Sequence, residues 1–315
     1  MSGPYQNPWT HPRHGFLDAL RWKCGLGPRD LPTHPQAHGP ADWQAIAADH
    51  WQKPLAAAWE VVWLGHASFL LRGCGQNILI DPVFSDYCAP FPFHVPALKR
   101  KVPPPLALQE LPEIDLILLT HTHYDHCDLP TLRAFPRDTK IIVAQGHKAW
   151  LMRQGFTQVE ELAWWQNRVV NDLRITATPA QHFTARSLFD RNRGHWCGWC
   201  IEGAGHTLWH AGDSGYCEVF QEIGERLGPF DLSMIPIGAY APRWFMKAMH
   251  MNPAEAVRVF QETCTKQAIA MHWGTFTLTE EPLGEPPRLL AEALQHANIP
   301  HDRFACLPVG GCWNL

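Results

Sequence analysis

The chain has 315 residues, of which 46% are hydrophobic and 18% are charged, and its formal net charge is −4. This composition indicates a globular protein with a large core and excludes a disordered chain. No basic tail or stripe is present, so nucleic acid is not an expected partner. The N-terminus lacks the basic and apolar regions of a signal peptide, and no apolar run has the length of a transmembrane helix. We therefore expect a cytoplasmic protein whose ten cysteines stay reduced.

Residues 1–55 are rich in Pro, His, Gly and Trp, which predicts an irregular N-terminal extension that packs on the folded domain of residues 56–315. One helix is predicted in the extension, and Phe16, Leu17, Leu20 and Cys24 lie on one side of it. This apolar side is expected to pack on the domain or, as the alternative, to touch a membrane surface or a partner chain.

Further along the chain, strands come first as hairpins and then alternate with helices. The predicted strands cover residues 61–71 (two strands), 77–80, 114–120, 140–144, 159–162, 173–178, 195–202, 206–210, 232–237 and 267–271. The predicted helices begin at residue 128 and cover residues 148–153, 217–227, 253–264 and 287–297. This order predicts an α/β (α+β) fold with two mixed β-sheets flanked by helices.

The segment that follows the strand 114–120 carries four potential metal ligands, His121, His123, Asp125 and His126. Such a cluster at the end of a buried strand is costly to desolvate unless a divalent cation is bound. His121 and His123 point to the same side of an extended segment, whereas the other two follow as the chain turns. Four ligands in six residues cannot all close on one tetrahedral ion, which favours two metal ions that share the loop.

Three further candidate ligands come directly after predicted strands, where side chains are free to converge. His182 follows the strand 173–178, Asp213 follows 206–210 between glycines, and His272 follows 267–271. An isolated residue of this kind would be interpreted as structural, but together with the four-ligand loop all three are expected to bind metal. One ion would be held by His121, His123 and His182, the other by Asp125, His126 and His272, with Asp213 as the bridge.

Two other residues have both a functional and a structural interpretation. Asp81 ends a strand at an Asp-Pro pair and is expected to orient a ligand histidine or, as the alternative, to form a turn. His66, between Gly65 and Ala67, would line the site or be structural.

The ligand pattern resembles that of the metallo-β-lactamase superfamily, which implies an αββα sandwich with a dimetal site along one edge. Longer motifs are similar to the N-acyl-phosphatidylethanolamine-hydrolysing phospholipase D family, and they cover most of the chain from about residue 60 to 300. These motifs are residues 63–67, 81–82, 121–128, 179–182, 211–217, 228–232, 235–247 and 272–276.

The resemblance implies a hydrolase that acts on a phosphodiester with two zinc ions, and whose members contact membranes peripherally and form homodimers. His250 matches a family histidine near the substrate, whereas Met249 replaces a glutamine of the animal enzyme. The N-terminal 55 residues match poorly. Histidine-rich ligation favours zinc over iron or manganese, which remain alternatives.

The expected reaction is attack of a bridging hydroxide on the phosphorus of an N-acyl phosphatidylethanolamine-like phospholipid. Asp125 and Asp213 would hold the ions that ionise this water, and the remaining positive charge would favour an anionic phosphoryl group. His250 or Tyr240 would bind the phosphate or assist the leaving group, with packing as the alternative role for each. The competing functions are carbonyl hydrolysis of a lactone or β-lactam and a binding protein without catalysis.

Overall fold

The computed structural model describes residues 3–12, 14–28, 54–90, 93, 95–187 and 189–315. Within them, two seven-stranded sheets form the centre of the molecule, in the orders β14-β1-β2-β3-β4-β5-β6 and β13-β12-β11-β10-β9-β8-β7. The strands are β1 (Trp59–Gly65), β2 (Ser68–Gly73), β3 (Gln76–Ile80), β4 (Leu116–Leu119), β5 (Lys140–Ala144), β6 (Val159–Leu162), β7 (Asn167–Val170), β8 (Leu173–Thr178), β9 (Gly198–Gly203), β10 (His206–His210), β11 (Leu232–Pro236), β12 (Gln267–Met271), β13 (Phe304–Ala305) and β14 (Cys312–Asn314).

Both sheets are mixed, as the sequence predicts. Strands β1 to β3 pair antiparallel, whereas β3 to β6 pair parallel. The second sheet has the same arrangement, with β7 to β10 antiparallel and β10 to β13 parallel. The central parallel strand β4, Leu116–Leu119, is a fully buried apolar run, because a central parallel strand is covered on both faces.

Helices cover the outer faces of the sheets. They are α1 (Phe16–Lys23), α2 (Leu129–Ala134), α3 (Lys148–Arg153), α4 (Val219–Leu227), α5 (Arg243–Met246), α6 (Pro253–Glu262) and α7 (Glu285–His296). Helix α6 begins with a capping box, in which the Asn252 side chain accepts from the Glu255 N–H at 2.9 Å and the Glu255 carboxylate accepts from the Asn252 N–H at 3.0 Å.

The core has one apolar layer between the two sheets and further apolar layers under the helices. Trp63 and Phe69 lie with Trp199 in the layer between the sheets, whereas Trp209 lies on the helical face of the second sheet, against Phe220 of α4. Leu132 and its neighbours on the helical side pack against the opposite face of the first sheet. This arrangement confirms the predicted αββα sandwich.

The described part of the N-terminal extension contacts the domain, but not through Leu17, Leu20 and Cys24 of the predicted side of α1, and the side chain of Phe16 lies outside the described part of the chain. Leu17 and Leu20 are 76% and 49% exposed, and Cys24 is exposed as well. Trp22 lies on the packed side instead, where its ring stacks on Phe245 at 5.1 Å and its N–H donates to Glu280 at 2.8 Å. Of the two alternatives, packing on the domain is not found for these three residues, because an indole offers both a larger apolar surface and a hydrogen bond, and contact with a membrane surface or a partner chain stays a prediction.

No helix among the described residues has both the length and the apolar character that crossing a membrane requires.

Candidate metal centre

All seven predicted ligands lie at one edge of the sandwich, just beyond the carboxyl ends of four strands. The loop of residues 121–126 follows β4 in the first sheet. His182, Asp213 and His272 follow β8, β10 and β12 in the second sheet. The structure therefore brings together residues that are up to 151 positions apart in the sequence, His121 and His272.

The first ligand group consists of nitrogen donors only: His121, His123 and His182. The His123 Nδ1 lies 2.9 Å from the His121 Nε2 and 3.2 Å from the His182 Nε2. Burial lowers the pKa of all three imidazoles, to about 4 for His123, to about 3 for His182 and well below the ordinary value for His121. The rings are therefore neutral at pH 7 and offer lone pairs, which is the form that binds a metal ion.

The second ligand group is mixed and contains Asp125, His126, His272 and, in addition, His66. The Asp125 Oδ2 lies 3.6 Å from the His126 Nε2, 3.5 Å from the His272 Nε2 and 2.9 Å from the His66 Nε2. Donor atoms of all four residues lie within 4.8 Å of one another. His66 therefore lies at the site, and its nearest partner is a predicted ligand.

Protonation distinguishes the mixed group from the nitrogen-only group. Burial alone would lower the pKa of His126 and His272, but the Asp213 and Asp125 carboxylates raise it, to about 9 for His272 and well above the ordinary value for His126. Without a cation, protons therefore balance the carboxylate charge in this group. A metal ion that binds here must displace those protons.

Asp213 lies between the two groups. Its Oδ2 is 3.1 Å from the Nε2 atoms of both His126 and His272 and 3.6 Å from the Nε2 of His182. Burial would raise the pKa of the carboxyl group, but the two nearer histidines lower it well below the ordinary value, so Asp213 is ionised. The turn before it requires glycine, because Gly212 has a φ of +64° and a Cβ would lie 2.4 Å from the Cys197 carbonyl oxygen.

Several buried polar atoms that face the centre have no hydrogen-bond partner among the described residues. They are the Nε2 atoms of His126 and His272 and the Oδ1 of Asp213. Although His126 lies 3.1 Å from Asp213, the two groups are not aligned as donor and acceptor. Buried polar atoms are normally satisfied, and these are nitrogen and oxygen atoms that ligate divalent cations. The residues present therefore fit a pair of metal ions.

Hydrogen bonds on the far side of the rings fix which nitrogen faces the centre. The Asp81 carboxylate accepts from the His126 Nδ1 at 2.7 Å and from the Thr120 backbone N–H at 2.8 Å. The His121 Nδ1 donates to the Thr120 hydroxyl at 2.9 Å, and the His182 Nδ1 donates to the Met249 carbonyl at 2.9 Å. Such contacts hold the ring orientation and the tautomer of metal-binding histidines.

Two further residues support the ligand segments, and sequence reasoning missed both. Arg186 donates to the carbonyl oxygens of Thr122 (2.8 Å) and Cys127 (2.7 Å), and so clamps the ends of the ligand loop. Its guanidinium lies 4.0 Å from the Tyr124 ring centroid. Asn7 donates to the His182 carbonyl at 2.9 Å and accepts from the His182 N–H at 3.1 Å. Neither residue belongs to a local pattern from which these contacts could be predicted.

The two remaining predicted residues differ in position. The His250 ring lies 5.0 Å from that of His182 and 5.1 Å from that of His272, and its buried Nδ1 has no partner among the described residues. Tyr240 is not in any of the ligand groups, and its hydroxyl donates to the Glu285 carboxylate at 2.7 Å. The contact with Glu285 favours the alternative role of Tyr240 in packing, and its role in binding the phosphate stays a prediction.

The family model of the Beta-lactamase superfamily domain matches residues 76–273. The chain belongs to the metallo-β-lactamase superfamily. Within it, the chain is 39% identical to N-acyl-phosphatidylethanolamine-hydrolyzing phospholipase D 1 of Caenorhabditis elegans, over 80% of this chain and 74% of the relative. It is also 29% identical to a metal-dependent hydrolase of Thermococcus kodakarensis, over 74% of this chain and 92% of the relative.

A solved structure supports the superfamily fold. An isothiocyanate hydrolase from Delia radicum gut bacteria aligns with a TM-score of 0.66 at 23% identity, over 81% of this chain and 98% of the other. This superfamily member is thus a metal-dependent hydrolase of the β-lactamase fold and is similar to N-acyl-phosphatidylethanolamine-hydrolysing phospholipases D.

Proposed function

We propose that the chain is a dinuclear zinc phosphodiesterase of the phospholipase D type, which hydrolyses an N-acyl phosphatidylethanolamine-like phospholipid. The observation that carries this proposal is the position of Asp213 between a nitrogen-only group and a mixed group. Two ions held by these groups would share Asp213 and would act on the same phosphoryl group. The similarity to the Caenorhabditis elegans relative supports the choice of substrate class.

The charge of the site favours a phosphodiester. Two carboxylates, Asp125 and Asp213, offset only part of the charge that two divalent cations bring, so the site stays positive. A buried positive site stabilises an anionic phosphoryl group and its more highly charged transition state. When bound, a pair of zinc ions supplies an ionised water at neutral pH and polarises a phosphoryl oxygen.

The protein residues hold and orient the reacting groups. Asp81, Thr120 and the Met249 carbonyl fix ligand rings, so that their free nitrogens point inward. We assign His250 to binding the phosphoryl group, since its unpartnered nitrogen lies beside ligands of both groups. Burial lowers the pKa of His250 well below its ordinary value, so the ring is neutral and donates one hydrogen bond.

Zinc is the proposed metal because five of the seven expected ligands are histidines. Imidazole suits zinc, copper, iron and nickel, whereas carboxylate-rich sites suit magnesium, calcium and manganese. Metal analysis of the purified protein by mass spectrometry tests this assignment. Two equivalents of zinc per chain are expected, and two equivalents of iron or manganese would contradict it.

A substrate panel tests the reaction. Zinc-loaded protein is assayed with bis(4-nitrophenyl) phosphate, with vesicles that contain N-acyl phosphatidylethanolamine, and with a lactone. We expect turnover of the phosphodiesters, and release of N-acylethanolamine and phosphatidic acid from the lipid. Turnover of the lactone alone would contradict the proposed phosphodiester cleavage and would indicate carbonyl hydrolysis instead.

We further propose that residues 1–55 form an extension on the hydrolase domain of residues 56–315, and that the protein is a cytoplasmic homodimer that contacts membranes peripherally. The exposed Leu17, Leu20 and Leu26 support the membrane contact, because apolar side chains on the same short segment favour insertion at a lipid interface. Sedimentation with vesicles and light scattering test these two points. Failure to sediment, or a monomer mass, would contradict them.

A further inference from the structure

A cavity of about 230 Å³ lies directly beside the nitrogen-only ligand group. One wall is formed by the N-terminal segment, including Asn7 and His14, and the other by His182, Phe183 and the loop of residues 191–192. The Phe183 ring lies 4.5 Å from the His123 ring. A molecule in this cavity would therefore adjoin the place where the substrate reacts.

The N-terminal wall is anchored by hydrogen bonds and ring contacts. The Gly3 N–H donates to the Arg191 carbonyl at 2.6 Å, and Asn7 binds both backbone groups of His182. The Trp9 ring stacks on Trp164 at 5.5 Å. These contacts fix the segment on both sides of the cavity, so that the wall belongs to the folded structure.

The cavity is rich in hydrogen-bond donors. The Arg191 guanidinium lies 4.3 Å from the Phe183 ring centroid, and no hydrogen bond or ion pair of its side chain is found among the described residues. The buried Nε2 of His14 has no partner among them either. Asp18 lies 3.7 Å from the other ring nitrogen of His14 and accepts from the Gly15 N–H at 2.9 Å, so it is engaged outside the cavity.

No aspartate or glutamate is among the described residues that line the cavity. An arginine fork with free donors, backed by an aromatic ring and without a competing carboxylate, is suited to a planar or tetrahedral oxyanion. An uncharged polar group would not require a guanidinium. The lining therefore favours an anionic ligand over a neutral one.

We propose that this cavity is a substrate subsite for a second anionic group, a carboxylate or a phosphate monoester, with Arg191 as its main contact. The inference rests on the proposed phosphodiesterase function and adds a preference for substrates that carry a charge beside the scissile phosphodiester. The cavity adjoins the metal centre, because His182 both lines the cavity and belongs to the nitrogen-only group.

Two matched substrate pairs test the subsite in zinc-loaded protein. In the first pair the leaving half differs: N-glutaryl and N-hexanoyl phosphatidylethanolamine have acyl chains of similar length, which end in a carboxylate or a methyl group. In the second pair the retained half differs: 4-nitrophenyl 3-carboxypropyl phosphate is compared with 4-nitrophenyl butyl phosphate. The measured quantity is the ratio of kcat/KM for the anionic to the neutral member of each pair.

The variant is Arg191→Met, and its matched control is Arg193→Met, because both arginines are exposed but only Arg191 lines the cavity. In Arg191→Met we expect the ratio to fall about tenfold for one pair, and that pair identifies the half of the substrate that the subsite holds. The ratio is expected to stay unchanged in the control. Unchanged ratios for both pairs in Arg191→Met, or an equal fall in the control, would overturn the proposal.

A binding measurement separates this inference from the proposed function. N-glutarylethanolamine and N-hexanoylethanolamine, which represent the leaving half, and 3-carboxypropyl phosphate and butyl phosphate, which represent the retained half, are titrated calorimetrically into the zinc-loaded wild type and both variants. We expect the carboxylate-bearing compound of one pair to bind about fivefold or more weakly to Arg191→Met than to the control. If no phosphodiester is hydrolysed, the proposed function fails, and this titration still decides the subsite. For both carboxylate-bearing compounds, equal dissociation constants in all three proteins would exclude the subsite.

Discussion

The two ligand groups of the metal centre have the same number of expected protein ligands but differ in charge. In the nitrogen-only group, burial keeps His121, His123 and His182 neutral and ready to ligate. In the mixed group, carboxylates hold protons on His126 and His272. Two ligand groups that lie side by side can therefore differ in how readily they bind a metal ion. One group offers free lone pairs, whereas the other must exchange protons for its metal ion.

Asp213 belongs to both groups, so its replacement has the largest expected effect. In Asp213→Asn the shared carboxylate charge is lost, while the size of the side chain is kept. We expect activity on bis(4-nitrophenyl) phosphate to fall about 10³-fold or more, with loss of at least one zinc ion per chain. The measurements are kcat/KM and metal content by mass spectrometry. A loss of activity of this size with both ions retained would contradict a role as a ligand only.

The charge difference predicts different pH dependence of zinc binding in the two groups. His272 in the metal-free chain has a pKa of about 9, so it carries a proton at pH 7 that zinc must displace, whereas His123, with a pKa of about 4, carries none. We therefore expect the zinc affinity of the mixed group to rise with pH between 6 and 8. The slope is about tenfold per pH unit for each proton released. The nitrogen-only group should be nearly independent of pH in this range.

Two variants isolate the groups for this measurement. His123→Ala leaves the mixed group complete, and His272→Ala leaves the nitrogen-only group complete. Zinc affinity is measured in each by competition with a chelating dye at several pH values. Equal slopes in the two variants would show that the groups do not differ in protonation.

Asp81 contacts the mixed group directly, through His126, and the nitrogen-only group only indirectly, through the Thr120 hydroxyl that accepts from His121. In Asp81→Asn, the His126 Nδ1 loses its charged acceptor, and the ring loses its fixed orientation. We expect zinc affinity of the mixed group, measured in the His123→Ala background, to fall about 10- to 100-fold. The same substitution in the His272→Ala background is the control. There the affinity should fall less, because Asp81 reaches His121 only through the Thr120 hydroxyl, and an equal fall in both backgrounds would indicate a general structural effect.

The sequence predicted this centre well where the signal is local, and poorly where it is not. Four ligands lie within six residues, and the strands 173–178, 206–210 and 267–271 that position the others were predicted with the observed bounds. Their apolar runs end at Gly, Pro or polar residues, so the ends are visible in the sequence. The short edge strands Phe304–Ala305 and Cys312–Asn314 were missed, because so few residues carry no detectable periodicity.

Support for the ligands was harder to predict than the ligands themselves. Arg186 contacts a carbonyl 64 positions away, and Asn7 contacts a backbone 175 positions away. Both hydrogen bonds are made to backbone groups, which every residue has. The type of the partner residue therefore does not indicate the contact. Such contacts depend on the complete fold and appear only in the structure.

Asn7 is the counterpart of Asp81, because it supports only the nitrogen-only group. In Asn7→Ala, the His182 N–H and carbonyl lose two hydrogen bonds from the side chain. Each bond contributes about 0.5–1.5 kcal/mol, and water would replace part of it at this partly buried position. We therefore expect zinc affinity of the nitrogen-only group, in the His272→Ala background, to fall about three- to tenfold. The mixed group should keep its affinity in the His123→Ala background.

The isosteric variant Asn7→Asp provides the matched test. An aspartate keeps the acceptor for the His182 N–H but loses the donor to the carbonyl, and it adds a negative charge beside the ligand. If the two hydrogen bonds act by orientation, both variants should weaken zinc binding, with the alanine variant the more affected. If zinc affinity were unchanged in both, the N-terminal segment would pack beside the centre without supporting it.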